Sequence, residues 1–311
     1  LTSPRHHQHL SGHSASRRTL LAGATALIPL AYAGGTAASA YSPEENTSRL
    51  DAAQRLRELE SRLEGRIGVH AFNSQTQVRF GYRSTERFLF CSVGKVLVVS
   101  TILDRATSDP SLLSRNIDIT EEDILPYAPA TGQHIGESMS VESLCEAAIT
   151  LSDNTAANLL VETVGGPNAV TDFVRRTGDV LTRMDRTEPE LNDAAGELDT
   201  TTPAAFCSTL ENLALGTALT PEHRLRLTTW LKANTTGADQ IRAGVPAGTT
   251  VGDKTGAGTH GESNDVAVIW PKNGSPVVLS IFTTSSIADN QAAQKSAIAE
   301  ATRIVTPIVT G

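Results

Sequence analysis

The chain has 311 residues, 39 % hydrophobic and 19 % charged, with a formal net charge of -8. That is room for one large core, or two lobes sharing an interface, in an ordinary soluble protein. An acidic balance with no basic stripe excludes a nucleic-acid binder, and aromatics at 4 % leave an aliphatic, alanine-rich core.

The first forty residues read as a targeting segment. Arg17-Arg18-Thr19-Leu20-Leu21 is a twin-arginine pattern, followed by an alanine-rich apolar stretch to Ala33 and by Ala38-Ser39-Ala40, the small-x-small pattern cut by signal peptidase. The apolar stretch is short and broken by glycine, so a membrane anchor is not expected. Residues 1–40 are set apart from the fold, and residues 41–311 are expected to be secreted as a monomer. Cys91, Cys145 and Cys207 are odd in number, and a chain folded before export need not rely on disulfides, so none is predicted. Four of the eight histidines fall in the targeting segment. His70, His134, His223 and His260 are scattered without metal-ligand spacing, so neither metal nor cofactor is expected.

Ser42-Pro43-Glu44-Glu45 has capping-box spacing. Leu50, Ala53, Leu56, Leu59 and Leu63 then mark an amphipathic helix, with Gly65 placed to end it. Arg66–Phe72 and Val78–Tyr82 read as strands joined by a turn at Asn73-Ser74. From about 84 to 232 the chain reads as helices joined by Pro, Gly, Ser and Asp clusters. Val266–Trp270 and Pro276–Phe282 flank Asn273-Gly274, a hairpin signal, and Ala292–Val305 reads as a final helix. The simplest assembly is one antiparallel sheet built from both chain ends (41–83 and 233–311) under terminal helices. The all-helical block 84–232 forms a second lobe, with a cleft between the two.

Four motifs carry the chemistry. Ser92-Val93-Gly94-Lys95 opens a run, Val93–Leu103, whose only charged residue is Lys95. Such a pattern alone is expected about once by chance in a chain of this length. A serine at a helix N-terminus feels the positive end of the dipole, and a lysine one turn on, in an apolar setting, loses proton affinity and can take the serine's proton. Ser152-Asp153-Asn154 supplies a hydroxyl that can pass a proton to a leaving nitrogen and an amide for a substrate amide; a bare helix cap explains the triplet equally well. Glu188-Pro189-Glu190-Leu191-Asn192 holds a glutamate and an asparagine four apart that can share one water, with a cis Glu188-Pro189 bond possible but not the default. Lys254-Thr255-Gly256 fits an edge strand beside the cleft. Lys254 gives positive charge, Thr255 a hydroxyl for a carboxylate and Gly256 close approach, while the N–H groups of Ala257 and Ser92 can form an oxyanion hole.

In this order the motifs resemble those of class A serine β-lactamases, of an actinobacterial type, across essentially all of residues 41–311. The resemblance implies an α/β lobe plus an all-α lobe and hydrolysis of penicillins and cephalosporins through an acyl-enzyme, conferring antibiotic resistance. It makes Ser92 the nucleophile, Lys95 its partner, Ser152 and Asn154 the second motif, Glu188 the water-activating base with Asn192 as helper, and Lys254 and Thr255 the third motif. Tyr127 resembles the aromatic wall of the cleft, and Arg186 and Asp199 the ion pair that pins the omega loop. Two departures stand out. Many relatives have an arginine shortly after the third motif, but Thr255–Pro271 contains no Lys or Arg; Ser263 sits near that place and Arg242 is the nearest alternative. Some relatives join a cysteine like Cys145 to the nucleophile helix, where Val99 stands here. The rivals are a penicillin-binding DD-peptidase, which lacks the Glu188–Asn192 feature, and a non-catalytic β-lactam or peptidoglycan sensor, which does not need it.

Overall fold

The computed structural model describes residues 42–258, 261–287 and 290–310. The twin-arginine segment and its cleavage pattern lie outside the described residues, as does His260. In chain order the elements are α1 (Pro43–Leu63), β1 (Gly65–Asn73), β2 (Arg79–Tyr82), β3 (Phe88–Leu89), α2 (Lys95–Ser108), β4 (Asn116–Asp118), β5 (Ser138–Ser140), α3 (Val141–Thr150), α4 (Asn154–Thr163) and α5 (Pro167–Arg176). Then come β6 (Thr200–Thr201), α6 (Pro203–Ala214), α7 (Pro221–Lys232), α8 (Ile241–Gly244), β7 (Thr250–Ala257), β8 (Glu262–Trp270), β9 (Val277–Ser285) and α9 (Gln291–Thr310).

Both ends of the chain build one five-stranded antiparallel sheet in the order β2-β1-β9-β8-β7. Side chains alternate across its faces, so each strand feeds two cores. Ala267, Ile269, Leu279 and Ile281 pack toward Leu56, Leu59, Ile298 and Val305 of α1 and α9. Their neighbours Val266, Val268, Val278 and Phe282 pack toward Val96, Leu97 and Phe206 of the helical block. The sheet is thus a wall between two apolar layers, and β7 is its free edge at the cleft. The architecture is the α/β-plus-helical fold expected.

Several local expectations need correction. Leu50 is exposed; the buried stripe of α1 is Ala52, Leu56, Leu59 and Leu63, spaced four, three and four. Gly65 does not terminate α1. Glu64 takes the left-handed turn (φ 48°), and Gly65 opens β1 where an added Cβ would lie 1.9 Å from the Thr284 carbonyl oxygen. The block 84–232 is not purely helical: β3 pairs with β6 and β4 with β5. Such two- and three-residue strands carry no readable alternation.

Candidate active site

Ser92 sits one turn before α2, in the 3₁₀ turn Cys91–Gly94, rather than opening that helix. The turn is held from three sides. Cys91 is forced to φ 52°, a left-handed conformation unusual for a side-chain-bearing residue. Asn264 of β8, fully buried, donates its Nδ2 to the carbonyls of Leu89 (2.9 Å) and Phe90 (3.1 Å). Gly256 of β7 approaches so closely that a Cβ there would meet Phe90 O at 2.8 Å and Val93 N at 3.1 Å. Gly256 therefore lets the sheet edge press against the nucleophile's turn.

Lys95 is 3 % exposed and is the hub of the site. Its Nζ donates to Ser92 Oγ (2.7 Å), Asn154 Oδ1 (2.6 Å) and the Ser152 carbonyl (3.0 Å), and it pairs with Glu188 Oε1 at 2.8 Å. Burial lowers its pKa, against the pull of Glu188. Ser92 Oγ lies 3.2 Å from the same Glu188 oxygen. The other Glu188 oxygen accepts from Asn192 Nδ2 at 2.5 Å, and Asn192 Oδ1 is buried without a protein partner among the described residues. The Glu188-Pro189 bond is cis.

The Ser152-Asp153-Asn154 triplet is both cap and site. Asp153 caps α4, accepting from Ala156 N at 2.9 Å, and also accepts from Ala130 N, Thr131 N and the Thr131 hydroxyl. It thereby ties the Tyr127 segment to α4, and the Asn154 N–H donates to the Tyr127 carbonyl at 2.9 Å. Ser152, at φ 61°, turns its hydroxyl to Lys254 Nζ (2.9 Å) and Lys95 Nζ (3.4 Å). Lys254 is fully buried. Burial, with Lys95 beside it, pushes its pKa down to about 7, so its charge is not the fixed one expected from sequence.

The loop carrying Glu188 and Asn192 is closed at its base. Arg186 Nε bonds Asp199 Oδ2 at 2.6 Å, and Arg186 Nη2 bonds the Asp193 carbonyl at 2.6 Å. Asn158 of α4 grips Glu188 itself, accepting from its N–H (2.9 Å) and donating to its carbonyl (2.8 Å). These parts line one cleft of about 510 Å³, bordered by Ser92, Tyr127, Ser152, Asn154, Glu188 and Asn192 on one side and Thr236, Thr255, Gly256, Ala257 and Ser263 on the other.

The β-lactamase enzyme family model matches residues 51–309. The chain is 42 % identical to "Beta-lactamase OXY-1" of Klebsiella oxytoca over 295 residues, 94 % of this chain and 98 % of that one. It is 44 % identical to "Beta-lactamase CTX-M-97" of Escherichia coli over 255 residues, 81 % of this chain and 87 % of that one. Among solved structures, a class A β-lactamase from Mycobacterium abscessus superposes with a TM-score of 0.80 at 47 % identity, covering 82 % of this chain and 98 % of the other. The chain belongs to the class A β-lactamase family. Opening of the β-lactam amide by water, the basis of resistance, is accordingly its reaction.

The substrate-carboxylate end of this β-lactamase departs from expectation. Arg242 faces away from the cleft, bonded to Asp253 Oδ1 (2.6 Å from Nε) and to the carbonyls of Leu231 and Lys232. Gln240, 2 % exposed, lines the cleft and donates weakly toward Ser263 Oγ at 3.4 Å. Among the described residues, the cation bordering the cleft besides the buried pair is Lys295 of α9, half-buried beside Gln291. Sequence reading missed Asn158, Asn264, Thr236 and Lys295. Asn264 had a local signal, as part of the polar run Ser263-Asn264-Asp265 in an apolar strand. Asn158 stands one helical turn after Asn154 on the same face. Lys295 and Thr236 had none, since they reach the cleft only through tertiary packing. All three cysteines are buried and unpaired. Among the described residues no group of three or more His, Cys, Asp or Glu is placed to hold a metal ion, and no helix is long and apolar enough to cross a membrane.

Proposed function

We propose that this enzyme hydrolyses penicillins and cephalosporins by acylation of Ser92 and Glu188-assisted deacylation, acting as a monomer outside the cell after twin-arginine export. The observation that carries the reading is one unbroken chain of contacts, Ser152–Lys95–Ser92–Glu188–Asn192, assembled from three separate stretches of sequence. Every one of these groups comes from a single chain, so one copy suffices to build the site. Arg17-Arg18 and Ala38-Ser39-Ala40 support export.

The chemistry follows from the geometry. Ser92 Oγ attacks the β-lactam carbonyl, and its proton passes to Lys95 or to Glu188, both within reach. The oxyanion is received by the N–H groups of Ser92 and Ala257. Ser152, between Lys95 and Lys254, hands a proton to the departing ring nitrogen. Lys95 holds Asn154 by its oxygen, which leaves the Nδ2 end to donate to the substrate's amide side chain. In the second half, Glu188 takes a proton from a water whose orientation the Asn192 amide sets, that water attacks the ester carbonyl, and the ester C–O bond breaks as Ser92 Oγ leaves and regains the proton from Glu188, 3.2 Å away. The substrate carboxylate meets Thr255, Lys254 and Lys295, in place of an arginine.

Steady-state turnover of a chromogenic cephalosporin tests this. Many equivalents hydrolysed by the wild type, none by Ser92→Ala and no loss in excess chelator are expected. A stall after one equivalent would indicate a DD-peptidase, and no reaction at all a binding module.

A further inference from the structure

Thr236 lies in the segment between α7 and α8 and lines the cleft beside Thr255. Its neighbours fix where its hydrogen points. The Thr236 backbone N–H donates to Asn234 Oδ1 at 3.2 Å, while Asn234 Nδ2 donates to buried Asp253 Oδ2 at 2.8 Å. Both contacts set the amide the same way round, with its oxygen toward Thr236. The Thr236 hydroxyl stands 2.9 Å from that oxygen, which can only accept. A threonine hydroxyl has a single hydrogen. Thr236 therefore donates to Asn234, and its 2.5 Å contact with Thr255 Oγ1 is one in which Thr255 donates. Thr255 then shows only lone pairs to the cleft, the wrong polarity for a carboxylate.

Given a cleft that binds anionic β-lactams, as read above, we propose that Thr236 is a positioning residue that converts Thr255 into an anion donor by reversing its own hydrogen bond. When the carboxylate docks, Thr255 turns its hydrogen to a carboxylate oxygen. Thr236 rotates its hydrogen from Asn234 to Thr255 Oγ1. Asn234 Oδ1 keeps the Thr236 N–H, so no buried acceptor is left bare. Each hydroxyl keeps its own proton throughout. Donation into Thr255 holds that oxygen in place and strengthens its bond to the anion.

The test compares wild-type full-length chain with Thr236→Val, Thr236→Ala and Thr236→Ser, on benzylpenicillin and on its neutral methyl ester. Loss of the hydroxyl in Val or Ala is expected to raise KM for the acid about three- to tenfold. The kcat for the acid and the KM for the ester should stay near wild type, and Thr236→Ser should restore the acid's KM. An unchanged KM for the acid in both the Val and Ala variants, or an equal rise for the ester, would overturn the switch and leave Thr236 a packing residue. A wild type that turns over neither compound would fail the β-lactam reading itself, and the switch with it.

Discussion

Replacing Glu188 separates the two halves of the reaction. Glu188 carries three contacts in a 3 % exposed position: Lys95 and Ser92 on one oxygen, Asn192 on the other. In Glu188→Gln the amide keeps a single acceptor, so either Lys95 or Asn192 must face an N–H group and lose its bond. That is a local cost of about 1–3 kcal/mol for a buried polar group. Loss of the anion also removes the interaction that opposes desolvation of Lys95, so Lys95 moves further toward its neutral form. A neutral lysine 2.7 Å from Ser92 Oγ is a competent base, so acylation survives. Deacylation has no such substitute. Removing a general base costs about 10²–10⁴ in rate, or roughly 3–6 kcal/mol of barrier at ~1.4 kcal/mol per decade. Mixing Glu188→Gln or Glu188→Ala with benzylpenicillin and recording intact mass over an hour should show one persistent penicilloyl adduct on Ser92. Native turnover in both variants would remove Glu188 from the mechanism. Absence of the adduct together with lost activity would make Glu188, not Lys95, the base for acylation.

Arg186→Ala should loosen the omega loop without touching substrate. Asp199 is fully buried and keeps only the Asp185 and Arg186 N–H groups (2.8 and 3.0 Å), so the loss should be about 2–3 kcal/mol, with a Tm lower by roughly 5–10 °C and faster hydrogen exchange over residues 186–199. An unchanged Tm and loop protection would show that the pair contributes nothing. With Lys254 pushed down to about 7, its charge is present below that pH and lost above it, so kcat/KM for an anionic β-lactam should fall as pH rises through neutrality. A flat profile from pH 6 to 9 would mean its acidic neighbours keep it charged. Lys295→Gln should raise KM for the same substrate about three- to tenfold while sparing kcat, and an unaltered KM would take Lys295 out of the carboxylate site. Replacing Arg17 and Arg18 with lysines should leave folded, active enzyme inside the cell; normal secretion would assign export to the general secretory route.

The chemistry was legible in the residues and their spacing. A nucleophile and its base must lie one helical turn apart, and a glutamate and the amide that helps it must lie close on one loop. Ser92–Lys95 and Glu188–Asn192 therefore appear as short spacings that survive without coordinates. The apolar runs of β8 and β9 were equally legible, because a strand between two cores must be apolar on both faces. The tertiary structure alone decided how the motifs share one proton network. The contacts of Lys95 with Ser152 and Glu188 span 57 and 93 residues, and no local pattern encodes them. The same holds at the carboxylate end. Arg242 looked available because its place in the chain is near the third motif, yet Asp253 captures it behind the sheet edge. Lys295 and Thr236, from a terminal helix and an interlobe segment, border the cleft instead. Burial decided the charge of Lys254 too, since a lysine's proton affinity depends on the solvent and charges around it, which only the folded chain supplies.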